Sequence, residues 1–154
     1  MEASLKLSYD GLDEPTRSVL CQLSVFATRF NETAVNRVIR IKGDTEAALE
    51  LLQRRYLLER DSTTGMYNLH DLVREFGFSQ LRNRNSVYQR ARVWYNEVAH
   101  STSEEAAAIL RLLTSEELHR FTTRRRQIKE FLAQEDRRQS KQGSSGANRS
   151  NDET

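Results

Sequence analysis

The sequence predicts a mainly α-helical protein that carries one small two-stranded β-hairpin. Three observations lead there. The 154 residues include one proline and six glycines, a composition that favours helix over sheet. Apolar residues recur at three- and four-residue spacing through most of the chain, the mark of helices with one buried face. A single stretch between Leu57 and Leu69 breaks into two short runs around turn residues instead, as a hairpin does.

Each element has its own signal. Leu5, Leu7 and Tyr9 stop at Asp10-Gly11 and read as a brief helix or a turn. Asp13-Glu14-Pro15 is a helix start, with Asp as N-cap and Glu and Pro in the first turn. Val19, Leu20, Leu23 and Phe26 then bury one face. Asn31 caps a third helix with Ala34, Val35, Val38 and Ile39 inward, and Asp44 caps a fourth with Ala48, Leu49, Leu51 and Leu52. Leu57–Asp61 and Met66–Leu69 are the two strands. Ser62-Thr63-Thr64-Gly65 is the turn, with Gly65 free to take a positive φ. Tyr67 and Leu69 share one face, Asn68 and His70 the other. Asp71 is the expected N-cap of a fifth helix carrying Leu72, Val73 and Phe76. Helices, then a hairpin, then a closing helix make a winged-helix arrangement over residues 1–85.

Asn83-Arg84-Asn85-Ser86 is a polar break and the expected boundary. Residues 86–135 read as a helical appendage. Its first helix has an apolar stripe of Val87, Ala91, Trp94, Tyr95 and Val98, with Trp94 and Tyr95 as core residues. A second helix runs from Glu104 to Leu113, and a third from Ser115 to Ala133 carries Leu118, Phe121, Ile128 and Leu132. An appendage of stacked helices leaves a stripe that a protein partner can cover. Residues 136–154 are rich in Ser, Asn and Gly and predict a disordered tail.

Composition narrows the function classes. The chain is 30% charged and 37% apolar, with no run near the ~18 apolar residues that span a membrane. Cys21 is the one cysteine, so no disulfide framework forms, and a reducing cytoplasm is the expected setting. No His/Cys cluster has metal-ligand spacing, His100 and His119 read as surface residues, and no serine sits in a hydrolase motif. The net charge is +2. Residues 1–85 carry 12 Lys/Arg and 12 Asp/Glu, and the remainder 12 against 10. That balance is too slight to imply nucleic acid.

The informative segment is Tyr67-Asn68-Leu69-His70-Asp71-Leu72-Val73-Arg74-Glu75-Phe76. It places an imidazole at a strand-to-helix junction, where free N–H groups and the helix dipole favour a phosphate. Position alone favours a plainer reading, a half-buried histidine bonded to a carbonyl or to Asp71. The wider pattern tips it. Leu5-Lys6-Leu7-Ser8-Tyr9-Asp10-Gly11-Leu12, Leu23-Ser24-Val25-Phe26 and the run from Leu49 through Phe76 resemble the winged-helix domain of STAND-type NTPases of the NB-ARC group, over residues 4–82.

The resemblance implies a role. In that family the histidine of a methionine-histidine-aspartate motif reaches the β-phosphate of ADP on a neighbouring nucleotide-binding domain and holds the molecule inactive. Leu69, His70 and Asp71 match it, with leucine in place of methionine. The resemblance makes His70 the phosphate contact and Asp71 the residue that fixes its corner, with ADP or ATP shared with that domain in cis or in trans. A Gly-x-x-x-x-Gly-Lys-Ser/Thr loop and a magnesium-binding acid are missing. The expectation is therefore a non-catalytic regulatory part of a larger machine that uses no metal of its own.

Two rivals remain. A winged helix can bind DNA through its fourth helix and wing. The outward positions of that helix include Glu46, Glu50, Gln53 and Arg54, and the turn carries no base, so duplex phosphates would meet acids. The other rival is an interaction adaptor with no nucleotide role. Arg124-Arg125-Arg126 is flanked by Glu116, Glu117 and Glu130 and reads as a solvated helix face.

Overall fold

The computed structural model describes residues 2–149, and among these eight helices and one hairpin follow in chain order. They are α1 (Glu2–Asp10), α2 (Glu14–Leu23), α3 (Glu32–Val38), α4 (Thr45–Arg54), β1 (Leu58–Arg60), β2 (Tyr67–Leu69), α5 (Asp71–Gln80), α6 (Arg84–Ala99), α7 (Glu104–Leu112) and α8 (Ser115–Arg149). Three helices start where their caps predict. The Oδ1 atoms of Asp13, Asn31 and Asp44 accept from the N–H groups of Thr16, Ala34 and Ala47 at 2.9, 2.9 and 3.2 Å. Each such cap stabilises its helix by about 1 kcal/mol.

The hairpin pairs Leu58 with Leu69, Glu59 with Asn68 and Arg60 with Tyr67. Asp61 accepts from the Thr63 N–H at 2.8 Å, and Gly65 takes φ +73° to close the turn. Tyr67 and Leu69 are buried while His70 is exposed, the alternation that the pleat requires. On its other edge β2 meets Phe30. The Phe30 N–H donates to the Tyr67 carbonyl at 3.1 Å and the Tyr67 N–H to the Phe30 carbonyl at 2.7 Å. That exchange pins the hairpin to the segment after α2.

Helix α2 lies against α4 and α5. Gly77 makes the α5 approach possible: a Cβ there would stand 3.2 Å from the Ser24 Cβ and 3.3 Å from the Leu20 carbonyl oxygen. Leu20, Leu23, Leu52, Leu69 and Val19 are fully enclosed in the resulting core.

The polar break at residues 83–86 interrupts the helices but not the packing. Buried residues from Leu12 to Leu132 form one cluster. α6 packs on α3, α7 and α8, so the stripe of Val87, Ala91, Trp94, Tyr95 and Val98 is covered by the chain itself. Residues 86–135, expected as a helical appendage, thus share one buried cluster with residues 1–85. Tyr95 makes the junction. Its hydroxyl donates to the Val25 carbonyl at 2.9 Å and accepts from the Ala27 N–H at 3.0 Å. Around it, Phe26 stacks on Phe30 at 4.6 Å, Trp94 meets Phe26 edge-on at 4.9 Å, and Phe121 of α8 lies 4.7 Å from the Tyr95 ring. Burial pushes the Tyr95 hydroxyl up to about 12, so it stays a neutral donor.

A capping box starts α8. The Glu117 N–H donates to the Thr114 Oγ1 at 3.1 Å, and the Thr114 N–H donates to the Glu117 carboxylate at 3.3 Å. The same carboxylate takes both prongs of Arg29, Nε and Nη2, at 3.0 Å. Burial pushes the Glu117 carboxyl up, but Arg29 and Thr114 together hold it below its ordinary 4.5. Two of the three clustered arginines also turn inward, against the expectation of a solvated face. Arg124 sits 4.0 Å over the Phe78 ring and donates to the Ser24 carbonyl, and Arg125 donates to Asn96 at 3.0 Å. Arg126 is exposed.

The C-terminal expectation is also revised. α8 runs on as helix to Arg149, past the residue 136 boundary of the expected tail, while residues 150–154 lie outside the described residues. Beyond Leu132 no described side chain is buried. A helix satisfies its own backbone without any core. No helix among the described residues is long and apolar enough to cross a membrane.

Two outcomes follow from these contacts. Tyr95→Phe leaves a buried carbonyl and a buried N–H unpaired and should lower stability by about 1–3 kcal/mol. Urea unfolding read by the single tryptophan, Trp94, measures this, and a loss near zero contradicts it. Glu117→Gln should destabilise at pH 7 by about 1–3 kcal/mol. Because the folded carboxyl titrates below 4.5, that stabilisation is complete above 4.5 and is lost as pH falls through the folded value. The wild-type and variant unfolding midpoints should therefore converge on acidification.

Candidate functional site

The chain turns from β2 into α5 at Leu69-His70-Asp71. Leu69 is buried and anchors the corner. His70 is the N-cap of α5, at φ −58° and ψ 144°, and its Nδ1 accepts from the Leu72 N–H at 3.3 Å. The expected cap was Asp71, which instead occupies the first position of the helix. Its carboxylate has stronger partners. Oδ1 accepts from Arg74 Nη1 at 2.8 Å and from Arg120 Nη1 of α8 at 3.1 Å.

The occupied Nδ1 decides the chemistry of His70. In the neutral ring the proton then sits on Nε2, and His70 is exposed, so the corner presents one outward N–H donor. The first turn of α5 adds the positive end of its dipole. That donor and the helix field suit an anion, while Glu59 and Glu75 in the same groove and Asp71 beside it oppose one.

Arg74 explains the second half of the corner. It is only 6% exposed and donates to Asn68 Oδ1 at 3.1 Å as well as to Asp71. Burial pulls its guanidinium below the ordinary arginine value, and Asp71 opposes that shift. Asp71 thus neutralises a buried cation and ties the corner to α8 through Arg120. The spacing Asp71-x-x-Arg74 is a helical neighbour pair and legible as such; Arg120, 49 residues away, is not.

His70 and Asp71 open onto different recesses. Asp71 lines one with Arg120, Glu116 and His119. His70 lines a groove of about 780 Å³ between α1, α5 and the start of β1, whose walls include Leu5, Tyr56, Leu72, Val73 and Phe76. Leu72 is 40% exposed there and Tyr56 is 90% exposed. His100 and His119 are exposed, and no group of three or more His, Cys, Asp or Glu among the described residues could hold a metal ion.

Comparison with known proteins finds no matching family model, no matching curated protein and no matching solved structure. The site's chemistry therefore rests on its own residues.

Tyr56 is the residue that periodicity could not single out. It stands just past α4 at φ +58°, where the Tyr56 N–H donates to the Gln53 carbonyl and the Leu57 N–H to the Leu52 carbonyl, both at 3.0 Å. This is a Schellman closure, and its left-handed position is the one glycine fills best. A tyrosine there costs about 1 kcal/mol in backbone strain, yet its ring stays in solvent at the groove wall. Tyr56→Gly should raise stability by about 1 kcal/mol in a urea titration; a decrease would mean that the ring contributes to folding.

Proposed function

We propose that this chain is a non-catalytic regulatory module of a STAND/NB-ARC-type switch. Its winged-helix part, residues 1–85, docks on a nucleotide-binding domain in cis or in trans, and His70 contacts the β-phosphate of ADP held there. The observation that carries the reading is the His70 imidazole. Its Nδ1 is engaged by its own helix, which leaves Nε2–H for an acceptor outside the chain. The apolar groove beside it, with exposed Tyr56 and Leu72, supplies area for docking.

Magnitudes divide the work between the two. A hydrogen bond to a charged acceptor is worth about 1.5–3 kcal/mol, roughly a 10–100-fold bias. Inverting a two-state population from 1:99 to 99:1 takes about 5.5 kcal/mol. His70 therefore reports which nucleotide is bound, and the groove contributes most of the closed state's stability. Exchange of ADP for ATP removes the differential contact and releases the module. Asp71 does not meet the phosphate in this scheme. Its carboxylate is engaged by Arg74 and Arg120 and would repel an anion, so it positions the corner.

Charge weighs against the DNA reading of the same module. Glu46, Glu50 and Arg54 are the exposed residues of α4 named for that role, and the hairpin turn carries no base.

The decisive measurement is ADP affinity in a reconstituted pair of this chain with an NB-ARC-type nucleotide-binding domain. His70→Ala should weaken ADP by about tenfold or more while leaving ATP affinity unchanged; equal ADP affinity in both proteins would falsify the sensor role. A DNA shift assay across salt concentrations covers the rival. Tight duplex binding with a steep salt slope would replace the switch reading.

A further inference from the structure

A third recess lies away from both His70 and Asp71. It is a cleft of about 730 Å³ lined by arginines from four places in the chain: Arg17 of α2, Arg40 after α3, Arg82 between α5 and α6, and Arg90 of α6. Glu14 is the one acidic residue in its lining. Among the described residues, six other arginines pair with carboxylates, namely Arg29, Arg37, Arg74, Arg111, Arg120 and Arg138. None of the four in the cleft does.

The internal contacts of the four leave charge uncompensated. Arg40 donates to the Asn36 and Ile39 carbonyls, and Arg90 donates to the Val38 carbonyl at 2.7 Å. These bonds orient the guanidiniums without neutralising them. Burial pulls Arg90 below the ordinary arginine value, and the neighbouring Arg40 charge pulls it further. Arg17 Nε is buried and has no hydrogen-bond partner, and such a donor is costly to leave unmatched. The side chain of exposed Arg82 makes no hydrogen bond within the described residues.

The start of α6 adds to the same field. Asn83, at φ +55°, caps the helix without a side-chain hydrogen bond, and no acidic residue stands in the first turn. Asn83 and Ser86 both line the cleft. The uncapped N–H groups and the dipole of this 16-residue helix attract an anion.

We propose that this cleft is a binding site for a compact polyphosphate, a small molecule carrying two or more linked phosphate groups. Four guanidiniums against one carboxylate leave a formal charge of +3 (four minus one) in a recess of small-molecule size. Guanidinium forks match phosphate oxygens in pairs, and linked phosphates pack several charges into that volume. A compact ligand fits better than a duplex backbone, because all four arginines line one recess, although Arg40 and Arg90 also border a neighbouring one. The assignment is independent of His70 and of any nucleotide-binding domain.

The test uses the full chain alone and sodium tripolyphosphate without divalent metal, by titration calorimetry in about 150 mM NaCl. Saturable binding of one ligand per chain at about 10 μM or tighter is expected. Arg82→Gln touches no internal contact, and with Arg17→Gln it should weaken binding about tenfold or more. Arg126→Gln, on the exposed face of α8, should leave binding unchanged. No saturable binding below about 1 mM overturns the proposal, as does an equal loss in Arg126→Gln or no loss in the Arg17/Arg82 variant. Citrate binding as tightly as tripolyphosphate overturns the phosphate assignment. So does a single-stranded oligonucleotide that binds and is not displaced by tripolyphosphate.

Discussion

One buried hydroxyl group ties α6 to the segment between α2 and α3. Tyr95 brings a donor and an acceptor into the aromatic centre and spends both on the Val25 carbonyl and the Ala27 N–H. Those backbone groups belong to the segment between α2 and α3, which forms no helix and would otherwise bury unpaired polar atoms. With them satisfied, Phe26, Phe30, Trp94 and Phe121 close around the ring. Phe30 in turn holds β2. The hairpin, and with it the His70 corner, is therefore positioned by a chain of contacts that begins on α6.

The corner itself divides its tasks between neighbouring residues. His70 caps α5 with one ring nitrogen and leaves the other outward. Asp71 compensates Arg74, a cation that the fold buries behind the hairpin, and reaches across to Arg120 of α8. Removing a carboxylate from beside a buried guanidinium leaves an uncompensated charge, so the identity at position 71 bears on the stability of the corner. Position 70 bears on what the corner can bind.

Arginine plays three distinct parts here. Arg29 and Arg74 anchor loops and helices through carboxylates, and Arg124 covers an aromatic face while bonding a carbonyl. Arg17, Arg40, Arg82 and Arg90 instead gather without a counter-charge. A net charge of +2 conceals this, since acids elsewhere on the surface balance the sum but not the local field.

Much of the architecture was legible because it is local. The caps at Asp13, Asn31 and Asp44, the Gly65 turn and the strand pair around it depend on hydrogen bonds within a few residues, and the chain states them directly. His70 was legible for the same reason, as a residue at a strand-to-helix junction. What required the tertiary structure depends on residues far apart in sequence. His70 caps α5, and the Asp71 carboxylate is taken by Arg74 and by Arg120 of α8. Across the polar break at residue 83, Tyr95 reaches back 70 positions to Val25. Helix α8 persists beyond Leu132, after which no described side chain is buried, since backbone hydrogen bonding needs no core. Sequence alone determined where the backbone turns and which faces are apolar, because those are short-range properties. Only the folded chain decided which charges meet, because ion pairs form between surfaces that packing brings together.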